Sequence, residues 1–284
     1  MLNSVRRRDI HWGYLGFFIS VHLIGAYGIY YALTFASEYT IVFAFAYFFL
    51  AHLSITCGAH RLYSHESFEA TYALQFLLVL LFSATAQGPV VWWVGKHKHH
   101  HAKEDQAGDP HSPRDGFFHS HMGWLIKKSG WATPAPHQYM RHFGRDKGQK
   151  YAPALWQTKH YVSLATLMTF VVPAFVCSLW DDMYGGLLVG GFARLVLQYH
   201  FTWVVNSAGH MYGERAGAGD STNLWALAIP TVGESFHGNH HLSPGDFRLG
   251  RKWYEIDLGA YTIRLCAFLG LAKNLKTPAN TQRV

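Results

Sequence analysis

Long stretches of this sequence contain no lysine or arginine and are apolar enough to cross a membrane. Basic residues are absent from 9–60, 62–95 and 160–193. A helix needs about 20 predominantly apolar residues to span the hydrocarbon core. Four windows of that length lie in or beside these stretches, at 13–34, 39–57, 161–180 and 185–205. The sequence therefore predicts an all-α integral membrane protein with four transmembrane helices.

The distribution of basic charge predicts the side of the membrane on which each segment lies. The connections 35–38 and 181–184 contain no Lys or Arg, whereas residues 6–8 and the segment 96–159 are basic. The four spans therefore pair as two hairpins, with the basic segments on one side. By the positive-inside rule, both termini and the centre of this multi-pass protein are cytosolic.

A fifth apolar window, 72–86, is interpreted as a helix that lies in the interface or is tucked under the bundle. A single crossing there would place the basic segment 96–159 outside the cell. The chain between His65 and Lys96 is too short for two crossings at 1.5 Å rise per residue. The shorter window 261–272 receives the same interpretation, and we treat 1–284 as one domain.

The composition excludes several other classes of protein. Half of the residues are hydrophobic and 16% are aromatic, a composition that buries too much apolar surface for a disordered chain. The three scattered cysteines form no C-x-x-C pair, which excludes a disulfide scaffold. The net charge of +7 is concentrated in 96–159, as in the cytosolic face of a membrane protein, so we expect no nucleic-acid partner.

Histidine clusters follow the cytosolic ends of several apolar segments. The sequence has 20 histidines, more than its 17 acidic residues. The pattern H-x-x-H-H occurs twice, and a further pair and a candidate near 206–210 join the set. The clustered residues are His60, His65, His97, His100, His101, His210, His237, His240 and His241.

Helical spacing decides which of these imidazoles can share a face. At about 100° per residue, each H-x-x-H-H triplet falls within an arc of about 100°, while His99 points away. Asn206 and His210 are four residues apart and share a face. His60 and His65 are five apart, so they require a helix end or a π-type turn.

Converging imidazoles predict a transition-metal site, for which iron, zinc and copper are all suitable. Nine candidate ligands are too many for one tetrahedral zinc and fit two metal ions with open positions. Soluble di-iron bundles use paired Glu-x-x-His motifs. Here only Glu234 and His237 have that form with a clustered histidine, so the sequence favours histidine ligands.

Several single residues allow two interpretations. The lone histidines His11, His22 and His52 are interpreted as hydrogen-bonded or interfacial residues rather than ligands. Arg194, within the fourth predicted span, is expected to face the bundle interior or to snorkel. Trp93 lies one turn before His97, where it forms either the wall of an apolar channel or part of the core.

The histidine motifs H-x4-H, H-x-x-H-H and H-x-x-H-H resemble the three histidine boxes of membrane fatty-acid desaturases. The flanking residues resemble the acyl-CoA Δ9 (stearoyl-CoA type) branch of that family, in a short form without a cytochrome b5 domain. These flanks are 58–65, 109–111, 123–125, 206–210 and 233–237. The similarity extends from about residue 12 to residue 272.

The resemblance implies four transmembrane helices under a cytosolic cap that holds two iron ions through the nine clustered histidines. It also implies that Asn206 acts through a water on one iron and that O2 is a co-substrate. The sequence departs from the family in its extra His99 and in Gly95, which stands where animal enzymes have an arginine for the CoA head group. Lys127 and Lys128 lie near a further basic CoA contact.

The implied activity is the O2-dependent desaturation of a fatty acyl chain to a monounsaturated product and water. The implied substrate is a saturated acyl chain carried by CoA or by a lipid, with Trp93, Lys127 and Lys128 as candidate contacts. The residues after 272 are too few for a fused cytochrome b5 domain, so we expect a separate electron-donor protein: a ferredoxin, a rubredoxin, a cytochrome b5 or a reductase.

Two alternatives stay open at the level of sequence. The same site in a related lipid hydroxylase or acetylenase would give a hydroxylated or alkynyl product. A metal-transport membrane protein is a different class, but its path needs polar ligands at mid-membrane, whereas these clusters lie at one cytosolic face.

Overall fold

The computed structural model describes residues 7–129, 143, 150–217 and 219–278. Within these residues the protein is mostly helical, as predicted. Three helices are long and apolar enough to cross a membrane: α1 (Trp12–Thr34), α2 (Glu38–Ser64) and α7 (Tyr161–Ser178). They coincide with the predicted windows 13–34, 39–57 and 161–180, and the second extends seven residues further.

A further continuous helical stretch, α8, covers residues 183–207 through the segments Met183–Gly185, Gly186–Ala193 and Arg194–Ser207. It coincides with the predicted window 185–205, but it is not one of the three helices that are long and apolar enough to cross a membrane. It packs closely on α1, where a Cβ at Gly28 would lie 2.3 Å from the carbonyl oxygen of Leu188. A glycine is therefore required at this helix contact.

The last eleven residues of α2, Ser54–Ser64, form a π-helical segment that is buried throughout. Its end is marked by the N–H of His65, which donates to the carbonyl of His60 at 3.1 Å, five residues back. The wider turn brings residues five apart onto one face of the helix. The predicted π-type turn is confirmed, and it directs both histidines to the same side.

Two shorter helices, α3 (Tyr72–Ser83) and α4 (Val90–Lys103), are connected by a turn at 84–89. The predicted helix 72–86 thus ends three residues early. At 1.5 Å per residue, α3 is about 18 Å long, which is too short to cross a core of about 30 Å.

The remaining helices are short. They are α5 (119–126), α6 (Ala152–Lys159), α9 (His237–Leu242) and α10 (Leu258–Phe268). Four 3-10 segments also occur among the described residues, and one of them, Ala208–His210, follows α8 directly. Two antiparallel two-stranded ladders join distant parts of the chain, β1 (Glu69–Ala70) with β4 (Ala272–Lys273) and β2 (Glu214–Arg215) with β3 (Thr222–Asn223).

A buried ion pair connects α2 to the start of α10. The guanidinium of Arg61 donates to Asp257 at 2.8 Å, and Asp257 also accepts the backbone N–H of Ala260 at the start of α10. Both side chains are almost fully buried. Removing one partner of such a pair would leave an uncompensated charge in the core.

Candidate metal centre

The fold brings the four histidine clusters together in two adjoining groups. The ligand atoms within each group lie within 4.8 Å of one another. The first histidine group consists of His60, His65, His97, His101 and His240. The second histidine group consists of His100, His210, His237 and His241. The nine histidines selected from the sequence are therefore the members of these two groups.

Each H-x-x-H-H triplet is divided between the two groups. On α4, His97 and His101 belong to the first group and His100 to the second. On α9 the division is reversed, because His237 and His241 belong to the second group and His240 to the first. On each helix, the two histidines that are four residues apart belong to one group, and the histidine between them belongs to the other.

The Nε2 atoms converge at short distances. In the first group, the Nε2–Nε2 distances are 2.7 Å for His65–His97, 3.0 Å for His97–His101 and 2.8 Å for His101–His240. Two nitrogens bound at right angles to one ion, each about 2.1 Å away, lie about 3.0 Å apart; the tetrahedral separation is about 3.4 Å. The first group therefore fits an ion with more than four ligands.

The second histidine group shows the same convergence together with an orphaned nitrogen. The Nε2 atoms of His210 and His237 are 2.9 Å apart, as are those of His237 and His241. His100 is 1% exposed, and its Nε2 has no hydrogen-bond partner among the described residues. A buried donor or acceptor without a partner is costly unless a ligand satisfies it. A metal ion would do so.

Burial keeps seven of these imidazoles neutral by lowering their pKa, and the neutral form is the one that binds metals. Burial, followed by repulsion from neighbouring histidines, lowers the pKa of His97, His237 and His240 well below the ordinary value. The same causes lower the pKa of His101 to about 2. The free lone pairs are therefore present at neutral pH.

Four of these histidines have a carboxylate behind the ring, on the Nδ1 side. Since a carboxylate only accepts, Nδ1 carries the proton in the two pairs that are hydrogen-bonded, His100 with Asp109 and His210 with Asp105. Their Nε2 atoms are left free, the arrangement common to metal-bound histidines. The four pairs are His60–Glu234 at 2.6 Å, His100–Asp109 at 2.9 Å, His210–Asp105 at 3.2 Å and His241–Glu104 at 2.9 Å.

Sequence reasoning missed three of these carboxylates. Glu104, Asp105 and Asp109 were given no role, although all three follow the α4 histidines within nine residues. Glu234 was considered only as part of a Glu-x-x-His motif. In the structure its carboxylate faces the Nδ1 of His60 and accepts from the hydroxyl of Thr56. This position agrees with a histidine-dominated ligand set.

The histidines interpreted as non-ligands belong to neither histidine group. The Nε2 of His99 donates to the carbonyl of Gly108 at 2.8 Å, away from both groups. His22 contacts the carbonyl of Phe18 through Nδ1, and His52 accepts from the side chain of Gln198. His11 caps α1 by accepting the N–H of Tyr14.

An apolar cavity of about 430 Å³ opens beside the first histidine group. This volume is in the range typical of small-molecule sites. The cavity reaches His97 and Asn206, and much of its wall is aromatic: Phe17, Phe18, Trp92, Trp93, Trp124 and Tyr199. The ring of Trp93 stacks on that of His97 with the centroids 5.2 Å apart.

The polar residues near the cavity differ in part from those selected in the sequence. Lys127 and Lys128 do not line it; Lys127 pairs with Ile10 in a β-bridge and Lys128 is exposed. Lys96, which sequence reasoning did not select, is buried and lines the wall. Asn206 also lines a second, small cavity of about 40 Å³ that touches both histidine groups.

Comparison with known proteins assigns the family. Residues 38–267 match the family described as fatty acid desaturase. The chain belongs to the fatty acid desaturase family. The resemblance inferred from the histidine boxes is thereby confirmed.

Named relatives cover nearly the whole chain. A probable acyl-CoA desaturase of Schizosaccharomyces pombe is 32% identical over 276 residues, 95% of this chain and 55% of that protein. An sn-1 stearoyl-lipid 9-desaturase of Anabaena variabilis is 35% identical over 270 residues, 94% of each chain. Acyl-CoA desaturase 1 of Saccharomyces cerevisiae is 35% identical over 240 residues, 83% of this desaturase-family chain and 46% of that protein. The chain spans about half the length of both yeast relatives.

Proposed function

We propose that this protein is an O2-dependent fatty acyl desaturase, an oxidoreductase that introduces a Δ9 double bond into a saturated acyl chain carried by CoA or a lipid. One observation carries the proposal: two groups of converging histidines lie together, and His97 of the first group lines an apolar cavity of about 430 Å³. The relatives support it, because their names describe acyl-CoA and stearoyl-lipid desaturases. The product is a monounsaturated acyl chain.

In this proposal the two histidine groups hold two iron ions, the first with five histidines and the second with four. Asn206 acts through a water on one iron. Its location in the walls of both cavities, four residues before His210, supports that role. The bound irons supply the oxidising power for the removal of two hydrogen atoms.

The protein residues contribute geometry and exclusion of water. The aromatic wall keeps the acyl chain dry, and Trp93 positions one pair of methylene groups beside His97. The carboxylates on the Nδ1 side of four of the histidines orient the rings. Lys127 and Lys128 contact the acyl carrier outside the cavity.

The reaction requires an electron donor. Conversion of CH2–CH2 to CH=CH with reduction of one O2 to two waters takes up two electrons and two protons. A separate protein supplies the electrons: a ferredoxin, a rubredoxin, a cytochrome b5 or a reductase.

The protein is proposed to cross the membrane four times, with α8 as the fourth span and the termini and histidine groups in the cytosol. Asp182, at the turn between α7 and α8, supports this arrangement. It accepts from the hydroxyl of Tyr31 on α1 and from the N–H of Ser37 and the hydroxyl of Thr40 before and within α2. Both hairpin turns therefore meet at one end, and neither contains a basic residue.

Fatty-acid profiling in a desaturase-deficient host tests the proposal. We expect the wild-type chain to produce a new monoenoic acid and His240→Ala to produce none. His99→Ala is the matched control and retains both the product and two irons per chain, because its ring points away from both groups. A hydroxylated or alkynyl product would identify the related activities, and iron-dependent transport without any new lipid would refute the enzyme.

A further inference from the structure

The turn at 84–89, between α3 and α4, forms one wall of the acyl cavity. Four consecutive residues of this turn line it, Ala86 to Pro89. From Val90, α4 runs seven residues to His97, which at 1.5 Å per residue is about 10 Å. The turn therefore lies about 10 Å from the first histidine group, along the same wall.

Three side chains from two helices, α7 and α8, bind the backbone of this turn. Arg194 donates to the carbonyl of Ala84 at 2.8 Å, and the hydroxyl of Tyr199 donates to that of Ala86 at 3.1 Å. The hydroxyl of Tyr161 accepts the N–H of Gly88 at 2.9 Å. Non-helical backbone among membrane helices persists where protein groups satisfy it or where it lines a cavity, and both conditions hold here.

The turn is held in an uncommon conformation. Ala86 has φ of 47° and Gly88 has φ of 93°, both in the left-handed region. A non-glycine residue with positive φ is costly and persists only where its surroundings impose it. The hydroxyl of Tyr199 binds the carbonyl of that strained residue directly.

Arg194 is a further sign that the conformation of the turn is held in place by its surroundings, because this buried charge donates to the turn and has no carboxylate partner among the described residues. It is 2% exposed, and among the described residues it forms no ion pair with a carboxylate. One of its terminal nitrogens has no hydrogen-bond partner in the described part of the chain, while its guanidinium lies 5.1 Å from the ring of Tyr47. A buried charge within a membrane helix is expensive and is typically retained for a function. Here it fixes the turn.

We propose that the 84–89 turn is the specificity-determining element of the acyl cavity. Its distance from the histidine groups sets which methylene pair lies beside them and how long a chain fits, and Tyr199 and Arg194 are its positioning residues. The inference rests on the proposed desaturase function. It adds to that function the part of the chain that selects the position of the double bond.

The test uses Tyr199→Phe, which keeps the ring in the cavity wall and removes only the hydroxyl contact with Ala86. Tyr161→Phe removes the contact with Gly88 in the same way. Tyr31→Phe is the matched control, because it removes a hydroxyl contact of equal length, 3.1 Å, at the opposite end of the bundle. Each full-length variant is expressed with a homologous series of saturated acyl substrates, and the double-bond positions and the iron content are measured.

We expect Tyr199→Phe and Tyr161→Phe to change the ratio of positional isomers, or the preferred chain length, by at least about threefold, as one lost hydrogen bond permits. Iron content stays at the wild-type value. Tyr31→Phe leaves the ratio unchanged. A merely structural role would lower the amount of product without moving this ratio.

The two proposals fail separately. If the wild type makes no unsaturated product, the desaturase function is wrong. If the wild type makes it and both cavity variants give wild-type isomers and chain lengths, the role of the turn is refuted. Arg194→Lys provides a further measurement: it retains the charge but loses the planar guanidinium, so it shifts the ratio in the same direction if Arg194 positions the turn.

Discussion

The Nδ1 atom of His60 lies 2.6 Å from Oε2 of Glu234, which joins the π-helical end of α2 to the segment before α9. The other carboxylate oxygen of Glu234 accepts from Thr56, and Arg61 lies 3.6 Å away. Burial opposes ionisation, but these partners outweigh it and lower the pKa of Glu234 to about 2. The carboxylate is therefore charged at neutral pH and directs the Nε2 of His60 toward the first histidine group.

Replacing this carboxylate should weaken metal binding in the first group. Glu234→Gln keeps the shape and removes the charge, so we expect a loss of roughly 10- to 100-fold in metal affinity or activity. Metal analysis of the purified protein measures it. Glu214→Gln is the control, since Glu214 is a surface carboxylate paired only with Lys252 among its described partners. Equal metal content in both variants would contradict the role of Glu234.

Alanine substitutions at two glycines with similar positive φ distinguish the cost of backbone strain from the cost of a steric clash. Gly88 and Gly108 have φ of 93° and 97°, but a Cβ at Gly88 would lie 2.8 Å from the ring of Trp92, whereas one at Gly108 meets nothing within 4 Å. Both alanine variants lose about 1–3 kcal/mol from the positive φ. We expect Gly88→Ala to lose more, because Trp92 must also move. Thermal unfolding in detergent measures the difference. Equal losses of stability in the two variants would show that the ring of Trp92 moves aside at no cost.

The metal-free protein should lose stability in acid. Burial, followed by repulsion from other histidines, lowers the pKa of His111 to about 3, below the value near 6.5 of an unfolded histidine. Between those values the unfolded chain binds more protons than the folded one. The stabilisation is therefore complete above about pH 6.5 and is lost progressively as the pH falls toward about 3.

Unfolding midpoints of the chelator-treated protein across this pH range test the expectation. His111→Gln removes one contributing group and should flatten the dependence without abolishing it, because His101 and its neighbours titrate in the same direction. A midpoint that rises as the pH falls would show that the sign is wrong.

Side-chain directions were predictable from the sequence where they depend on the geometry of a single helix. The π-type turn between His60 and His65 follows from their spacing, and the direction of His99 follows from helical periodicity. The buried position of Arg194 is one of the two that the cost of a charge in lipid predicts, the other being a snorkelling side chain.

Contacts between distant segments were not predictable. Helical spacing placed the triplet of α4 on one face but did not show that His100 turns to a different group from His97 and His101. That division depends on where α9 and the Ala208–His210 turn approach α4. Likewise, the pairing of Glu104 with His241 joins residues 137 positions apart, and periodicity carries no information about such pairs.

The exchange of ligands between α4 and α9 has a consequence for how metals enter and leave the protein. Each of these helices contributes to both groups, so neither group is complete unless both helices are docked. A helix that shifts on losing one ion carries its remaining imidazoles out of the neighbouring group as well. If each group holds one ion, as proposed, we expect loading to be cooperative, with most chains carrying two ions or none and with singly occupied chains scarce.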